Sequence, residues 1–509
     1  MGIGHLMRCL TLAEDLRERG LATRFVCRAH RGHLIELLRQ RDMVVHAMPE
    51  PAEPRGISAS ESHSDWLGVT QAEDADQTIQ ALQGEHPDWL IVDHYGLGSA
   101  WERRLRGHTG KLMVIDDLAN RPHDCDLLLD QNYSTDSAAR YRELVPEMAA
   151  QALGPRYALL RPEYLQHRLV LRERDGQVRR VLVFFGGSDS YNMTGMALAV
   201  LSGAEFDCLE VDVVIGPNNV HRARLERAIA KRPLTTAHGH RPHLADLMSQ
   251  ADSAIGAGGT TTWERLCLGL PSLAVSIAEN QEPTCQALAG AGLMRYLGRH
   301  GEVQPSMIAS ALRECIGEPE ALVELSGRSR LAVDGLGTMR LAEYLDPTPA
   351  KLLRLRPAAP DDELLYFDWA NDPEVRRQAI RTDEIPLERH QEWFAATLGT
   401  TRSYLFVMCA GELPVGQIRF DWDGADARID YSIDPLFRGR GWGTQVVALG
   451  VKHRLKSGPI TFRADVKEAN LASRSVFGRL GFDECPGPEG TGLRTYRFDP
   501  AVRSLPSTN

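Results

Sequence analysis

From its start to about residue 345 the chain alternates short apolar bursts with amphipathic helical stretches, and that alternation leaves few folds open. Candidate strands are Thr23–Cys27, Trp89–Asp93, Leu112–Asp116, Arg180–Phe185, Cys208–Ile215, Ser253–Ile255 and Ser272–Val275. Helical patterns fall between them, as they must where parallel strands are joined by crossover helices. Gln131–Arg161 has few strand signals and reads as the join between two such layers. A chain of 509 residues is too long for one core, and length alone suggests about three domains. The economical expectation is α/β: two doubly wound domains, residues 1–150 and 151–345, facing each other across a cleft.

The pattern then changes. Tyr344–Lys351 carries two prolines and reads as a linker. Beyond it, strands Tyr404–Cys409, Gly416–Asp421, Ala427–Ile433 and Ile460–Val466 are spaced as an antiparallel meander. Helical patterns at Asp361–Arg377 and Leu387–Thr397 precede them. Residues 351–500 are therefore expected to form a separate α+β domain.

Composition narrows the partners. A net charge of −10 argues against nucleic acid, whose phosphates call for excess Lys and Arg. The nine cysteines are scattered without a C-x-x-C pair, which fits reduced thiols and a cytoplasmic protein. No run is long and apolar enough to span a membrane, and no signal peptide precedes the first motif. The 17 histidines show no H-x-x-x-H spacing, so no metal is expected; His238 and His240 flank a glycine and read as loop residues.

Three segments carry the chemistry of the first two domains. Gly2-Ile3-Gly4-His5 leads into a helix with Leu6, Cys9, Leu10, Ala13 and Leu16 on one face and Gly20 at its end. Glycines before a helix start let an anionic oxygen approach free amides, and a histidine there can exchange a proton near neutral pH. Alone, the segment is equally a tail with an incidental histidine. Val181–Asp189 ends an apolar strand in Gly186-Gly187-Ser188-Asp189, at the edge where parallel sheets bind ligands; a plain strand-to-helix turn is the rival reading. Gly256–Pro271 is more informative. Gly258 and Gly259 precede Thr260, Thr261 and Thr262, which can cap the next helix and donate to a diphosphate. Glu264, one turn in, is placed to accept from a ribose diol. A turn with a purely structural role does not need all of these together.

With D-H-Y (Asp93–Tyr95), I-D-D-L-A-N-R (Ile115–Arg121) and L-L-L-D-Q-N-Y (Leu127–Tyr133), these motifs resemble the UDP-sugar hydrolase family of pseudaminic acid biosynthesis over residues 1 to about 345. The resemblance implies a GT-B-type fold and a UDP-linked 2,4-diacetamido-2,4,6-trideoxy-altrose as substrate, cleaved by water at the anomeric carbon. It makes His5 the base, puts Asp93 and Tyr95 on the sugar side, and gives nucleotide binding to Gly2, Gly4, the Gly186–Asp189 turn, Gly258–Thr261, Glu264 and Asn280. The family has a strand before its G-x-G-H motif where this sequence begins, so the first sheet is expected to lack a central strand.

In the last domain, Arg438-Gly439-Arg440-Gly441-Trp442-Gly443 follows a strand and precedes a helical stretch. Its glycines expose successive amides, which suits a pyrophosphate. A dinucleotide fingerprint is excluded by the spacing and by the lack of a surrounding βαβ unit. The motif resembles the GNAT superfamily pattern, as does Val466–Phe482 with Asn470 and Ser473. Ala370–Arg376 and Arg389–Phe394 resemble the acetyltransferase of the same pathway. The resemblance implies acetyl-CoA as co-substrate, held by Ile433, Arg438–Gly441, Gly443, Asn470 and Ser473. Many such enzymes have a tyrosine acid seven residues after the asparagine, where this chain has Phe477. Asp430, Asp434 and Glu468 are candidate proton acceptors, and His390 and Trp393 candidate sugar contacts, although each has a structural reading as well.

Together the halves imply one sequence of steps: acetylation of a UDP-4-amino-sugar, then release of UDP from the product. A GT-B glycosyltransferase fused to an acetyltransferase of another amino sugar, or a non-catalytic nucleotide-sugar-binding protein, are the rival readings.

Overall fold

The computed structural model describes residues 3–30, 32–51, 66–239, 241–346, 348, 353–424 and 426–506. Gly2, His240 and most of the expected linker lie outside these residues. The chain forms two compact units, Met1–Asp346 and Pro347–Asn509.

In the first unit every strand pairing is parallel. β1 (Arg24–Arg28) pairs with β2 (Val44–Met48). β3 (Trp89–Val92), β4 (Lys111–Ile115), β5 (Leu127–Asp130) and β6 (Ala150–Leu153) form a four-stranded sheet in that order. Among the described residues β1 and β3 do not pair, so the layer stands in two pieces. Six more strands, β7 (Arg180–Phe184), β8 (Glu210–Val214), β9 (Thr235–His238), β10 (Ser253–Ala257), β11 (Ser272–Ser276) and β12 (Arg295–Arg299), make a sheet ordered β12-β11-β10-β7-β8-β9. The chain winds outward from β7 in one direction and from β10 in the other, which leaves a crevice beyond their carboxyl ends. Apolar sequence explains the arrangement: β5, β10 and β11 are buried along their whole length, as strands covered by helices on both faces must be.

The sequence reading needs correction where strands are short or exposed. Gln131–Arg161 is not only a connection, because it contains β6, which pairs with β5. β9 alternates no apolar face, its four residues being half-buried or exposed, and so leaves no hydrophobic signature. The helix Gly337–Leu345 runs through Tyr344, so the linker begins later than expected. No described helix is long and apolar enough to cross a membrane.

The second unit is a seven-stranded mixed sheet: β13 (Leu353–Pro357), β14 (Ser403–Ala410), β15 (Leu413–Trp422), β16 (Ala427–Ile433), β17 (Phe462–Lys467), β18 (Asp483–Pro486) and β19 (Leu493–Phe498), ordered β13-β14-β15-β16-β17-β19-β18. The expected meander holds for β14 to β16 but not for β17, which runs parallel to β16. The helix Trp442–Leu455 between them is the crossover that a parallel step requires. Only Ala427 with Phe462 and Arg428 with Arg463 are paired across β16 and β17; beyond them the strands part. The expected helix Asp361–Arg377 is two helices, Glu363–Asn371 and Pro373–Gln378, broken where Asp372 caps the second by accepting from the Val375 amide. The α/β fold class followed by an α+β domain is the one observed.

Candidate functional site

The helix Ile3–Glu18 places His5, Arg8 and Cys9 on one flank by its own pitch, facing the carboxyl ends of β3, β4 and β5. His5 Nδ1 lies 2.7 Å from Asp93 Oδ1. Arg8 donates through Nε and Nη2 to the two oxygens of Asp93, each at 2.7 Å, and through Nη1 to Asp117 at 3.0 Å. Asp117 also accepts from the Tyr95 hydroxyl at 2.7 Å and from Asn132 Nδ2 at 2.9 Å. Tyr95 stands edge-on to the His5 ring, with centroids 4.6 Å apart. From the second sheet, Asn280 Nδ2 reaches the Tyr95 hydroxyl at 3.4 Å.

These charges could not be buried singly. Arg8 is only 5% exposed, and stripping water from such an ion costs several kcal/mol unless partners replace the water. Burial alone would raise the Asp93 carboxyl, but Arg8 and then His5 overcome it and hold Asp93 well below the usual carboxylate range. Asp117 is lowered against the same burial, again by Arg8. Burial and the neighbouring Asp117 push the Tyr95 phenol up, so it remains a donor. Asp93 can only accept, so it fixes the orientation of the His5 ring through Nδ1, and Arg8 Nη2 stands 3.1 Å from the same nitrogen. His94, by contrast, is pushed down to about 3 by burial and accepts from the Gly96 amide, so it takes no part.

The glycine motifs meet this cluster unevenly. A Cβ added at Gly4 would lie 3.0 Å from Thr260 Cγ2, so the first and third motifs touch. Gly258 admits Cys285 at a distance that no side chain would allow, and Gly186 takes a positive φ of 88°. Gly187 follows it, and Ser188 is exposed. Asp189 departs from expectation: its oxygens accept from the Met193 and Thr194 amides, 2.8 and 3.0 Å away, so it caps a helix. The threonines also differ. Thr260 makes no side-chain cap bond, and Thr262 turns inward to accept from Arg265, while Thr261 begins the helix. Glu264 is half-buried, its carboxyl pushed up to about 7 by burial despite a hydrogen bond from Tyr164. Arg8, Asp117 and Asn132 were given no role by the sequence. The signals were there: Arg8 lies three residues after His5, and the other two sit directly after strands.

In the second unit, a cavity of about 770 Å³ occupies the opening between β16 and β17. At one end stand Gly439, Gly441 and Gly443 with Asn470 and Ser473. Gly439 and Gly441 have φ of 80° and 78°, a conformation that side chains resist. The helix Trp442–Leu455 starts there without a side-chain cap, leaving its first amides to an anion. Arg438 is tied to Asp372 at 2.6 Å and to the Ile433 carbonyl at 3.2 Å, and Arg440 lies over the Phe437 ring. Asn470 caps its own helix by accepting from the Ser473 amide at 3.1 Å.

The other end of the cavity is polar. Trp393 carries Arg419 over its ring at 5.1 Å, and Asp430 accepts from Gln417 Nε2 at 3.2 Å. Gln417 Oε1 and Ser432 Oγ are buried there with no partner in the structure, a costly state that a ligand would relieve. Of the candidate proton acceptors only Asp430 lines the cavity. Asp434 is wholly buried and accepts from Trp369 Nε1 and the Leu436 amide, while Glu468 pairs with Arg494 at 2.9 Å. His390 donates through Nε2 to the Glu363 carbonyl at 2.8 Å and is held neutral by burial, a structural histidine bordering the cavity.

Residues 353–483 match the family described as the acetyltransferase (GNAT) domain, and this unit is an acetyltransferase domain of that class. The chain is also homologous to two particular proteins of sugar metabolism. It is 25% identical over 293 residues, 57% of this chain and 93% of the relative, to the UDP-2,4-diacetamido-2,4,6-trideoxy-beta-L-altropyranose hydrolase of Campylobacter jejuni. It is 24% identical over 349 residues, 68% of this chain and 94% of the relative, to the spore coat polysaccharide biosynthesis protein SpsG of Bacillus subtilis. Among solved structures, MurG of Acinetobacter baumannii aligns at 13% identity over 67% of this chain and 96% of its own, with a TM-score of 0.47.

Proposed function

We propose that the chain is a bifunctional enzyme that acetylates the 4-amino group of a UDP-linked deoxyamino sugar and hydrolyses the resulting UDP-2,4-diacetamido-2,4,6-trideoxy-β-L-altrose. The observation that carries the hydrolytic half is His5, held as an oriented base by Asp93. Its Nε2 takes a proton from water as the water oxygen bonds to the anomeric carbon. The bond from that carbon to the diphosphate oxygen breaks, and UDP leaves with the electron pair. A single displacement through an oxocarbenium-like state inverts the anomeric centre. Tyr95 and Asn280 border the sugar, and the turns at Gly186 and Gly258–Thr261, with Glu264, take the nucleotide. UDP is a good leaving group, so amides that hold its charge and one base suffice.

In the acetyltransferase half, acetyl-CoA is the co-substrate. Its pyrophosphate fits the amides that follow Gly441, and its pantetheine arm fits the opening beside β16. The neutral sugar amine attacks the thioester carbonyl from the Trp393–Asp430 end, and Asp430 accepts the proton that nitrogen loses. Gln417 and Ser432 offer their unpaired atoms to the sugar.

The test is to incubate the protein with the UDP-4-amino-sugar and acetyl-CoA, following products by mass spectrometry and NMR. The expected result is UDP plus free diacetamido sugar, with release abolished in His5→Ala while acetylation continues. An acetylated UDP-sugar that accumulates uncut would overturn the hydrolytic half, and absence of acetylation would overturn the acceptor.

A further inference from the structure

Acetyl transfer ends with a sulfur that must carry away an electron pair, and the side chain expected to protonate it is missing. Seven residues after Asn470 stands Phe477, 2% exposed, its ring packed against Phe482 and Tyr496. Among the described residues two phenols border the cavity. Tyr366 is committed elsewhere, its hydroxyl donating to the Phe406 carbonyl at 2.9 Å. Tyr431 is differently placed. It stands on β16 where β16 and β17 have already parted, and its ring meets the Phe477 ring edge-on with centroids 5.9 Å apart. Its hydroxyl donates to Ser473 Oγ at 3.1 Å, one turn along the helix that Asn470 caps. A Cβ added at Gly443 would lie 3.8 Å from that hydroxyl. The phenol is therefore wedged between the glycine-led helix and the helix bearing Phe477, beside the path from the glycine loop along β16.

We propose that Tyr431 is the general acid of acetyl transfer, supplying from β16 the phenol that position 477 lacks. This rests on the reading of the cavity as an acetyl-CoA site. The amine nitrogen bonds to the thioester carbon and the carbonyl pair moves onto oxygen. As the C=O bond re-forms, the C–S bond breaks, and sulfur takes its electron pair together with the Tyr431 proton. The proton that Asp430 takes from the amine nitrogen, passed on through water, restores the phenol. The products are the acetamide and coenzyme A thiol. Burial pushes the phenol up to about 12, so it is protonated throughout the neutral range. A thiol titrates near 8.5, below the phenol, so Tyr431 steadies the departing sulfur by hydrogen bonding and gives up its proton only as the amine's proton replaces it.

Tyr431→Phe removes one oxygen and keeps the packing. It is expected to lower kcat on the order of 100-fold while leaving the KM for acetyl-CoA unchanged. The double variant Tyr431→Phe/Phe477→Tyr, which puts a phenol back from the neighbouring helix, is expected to recover most of the loss. A structural role would move KM and would not be rescued in this way. Independently of any acceptor, the thiol of bound coenzyme A, titrated by its thiolate ultraviolet absorbance, should have a lower pKa in the wild type than in Tyr431→Phe. Equal kcat, or equal thiol pKa values, would overturn the proposal. Failure of the acceptor reading is seen separately, as a wild-type protein that binds coenzyme A but leaves the UDP-4-amino-sugar unmodified.

Discussion

The His5 cleft and the β16–β17 opening are built from different materials. The first is a knot of charges: one buried guanidinium, two carboxylates, an imidazole and a phenol, each correct only because the others are present. The second is mainly backbone: two strands that part, two glycines in a left-handed conformation and a helix start left uncapped. A site of charges should fail completely when one atom changes. A site of backbone should tolerate changed side chains and resist an added Cβ.

The largest expected effect is on the charged side. Asp93→Asn keeps the shape but lets an amide donate toward His5, so the imidazole can present the wrong tautomer. Hydrolysis should fall on the order of ten-thousand-fold with acetyl transfer unchanged, as read by assaying the two activities in one preparation. A loss below tenfold would break the contrast between the two sites.

A smaller effect concerns Glu264. Its folded-state pKa of about 7 lies above the ordinary carboxyl value, so the folded protein holds the proton more tightly than the unfolded chain. The stability this contributes is complete below the unfolded pKa and is lost as pH rises through about 7. Urea unfolding should weaken by about 3 kcal/mol over that rise, and Glu264→Gln should flatten the dependence. An unchanged slope in the variant would remove Glu264 from the account. The smallest effect is on the backbone side. Gly441→Ala forces a side chain into φ of 78° at a cost of about 1 kcal/mol, so the KM for acetyl-CoA should rise about fivefold with kcat retained. A collapse of kcat would place Gly441 closer to the reacting atoms than the backbone picture allows.

The same contrast explains what was legible in the sequence. Local motifs pointed to the glycine loop and to the place of His5, because each has its meaning within a few residues, whereas Asp93 and Tyr95 came from the family resemblance alone. Arg8 was legible only as a basic residue one helical turn from His5, since the carboxylates it binds lie 85 and 109 positions away. Asp189 and Thr262 misled for the opposite reason: short polar side chains after a strand serve a helix cap or an inward bond as readily as a ligand. Tyr431 lies within the expected strand Ala427–Ile433, and only the parting of β16 from β17 sets it at a cavity wall. That parting was itself hidden, because the spacing of apolar residues gives a strand's faces but not the direction of its neighbour.

The divergence of β16 and β17 also bears on how the second unit holds together. Past the two paired positions, each strand turns a row of amide and carbonyl groups toward a partner that has moved away. A pantetheine arm carries amides of its own and can bridge such a row, serving as a guest strand in a ladder the protein leaves unfinished. On the proposed acetyl-CoA reading, the thermal stability of this unit should rise with the concentration of coenzyme in solution.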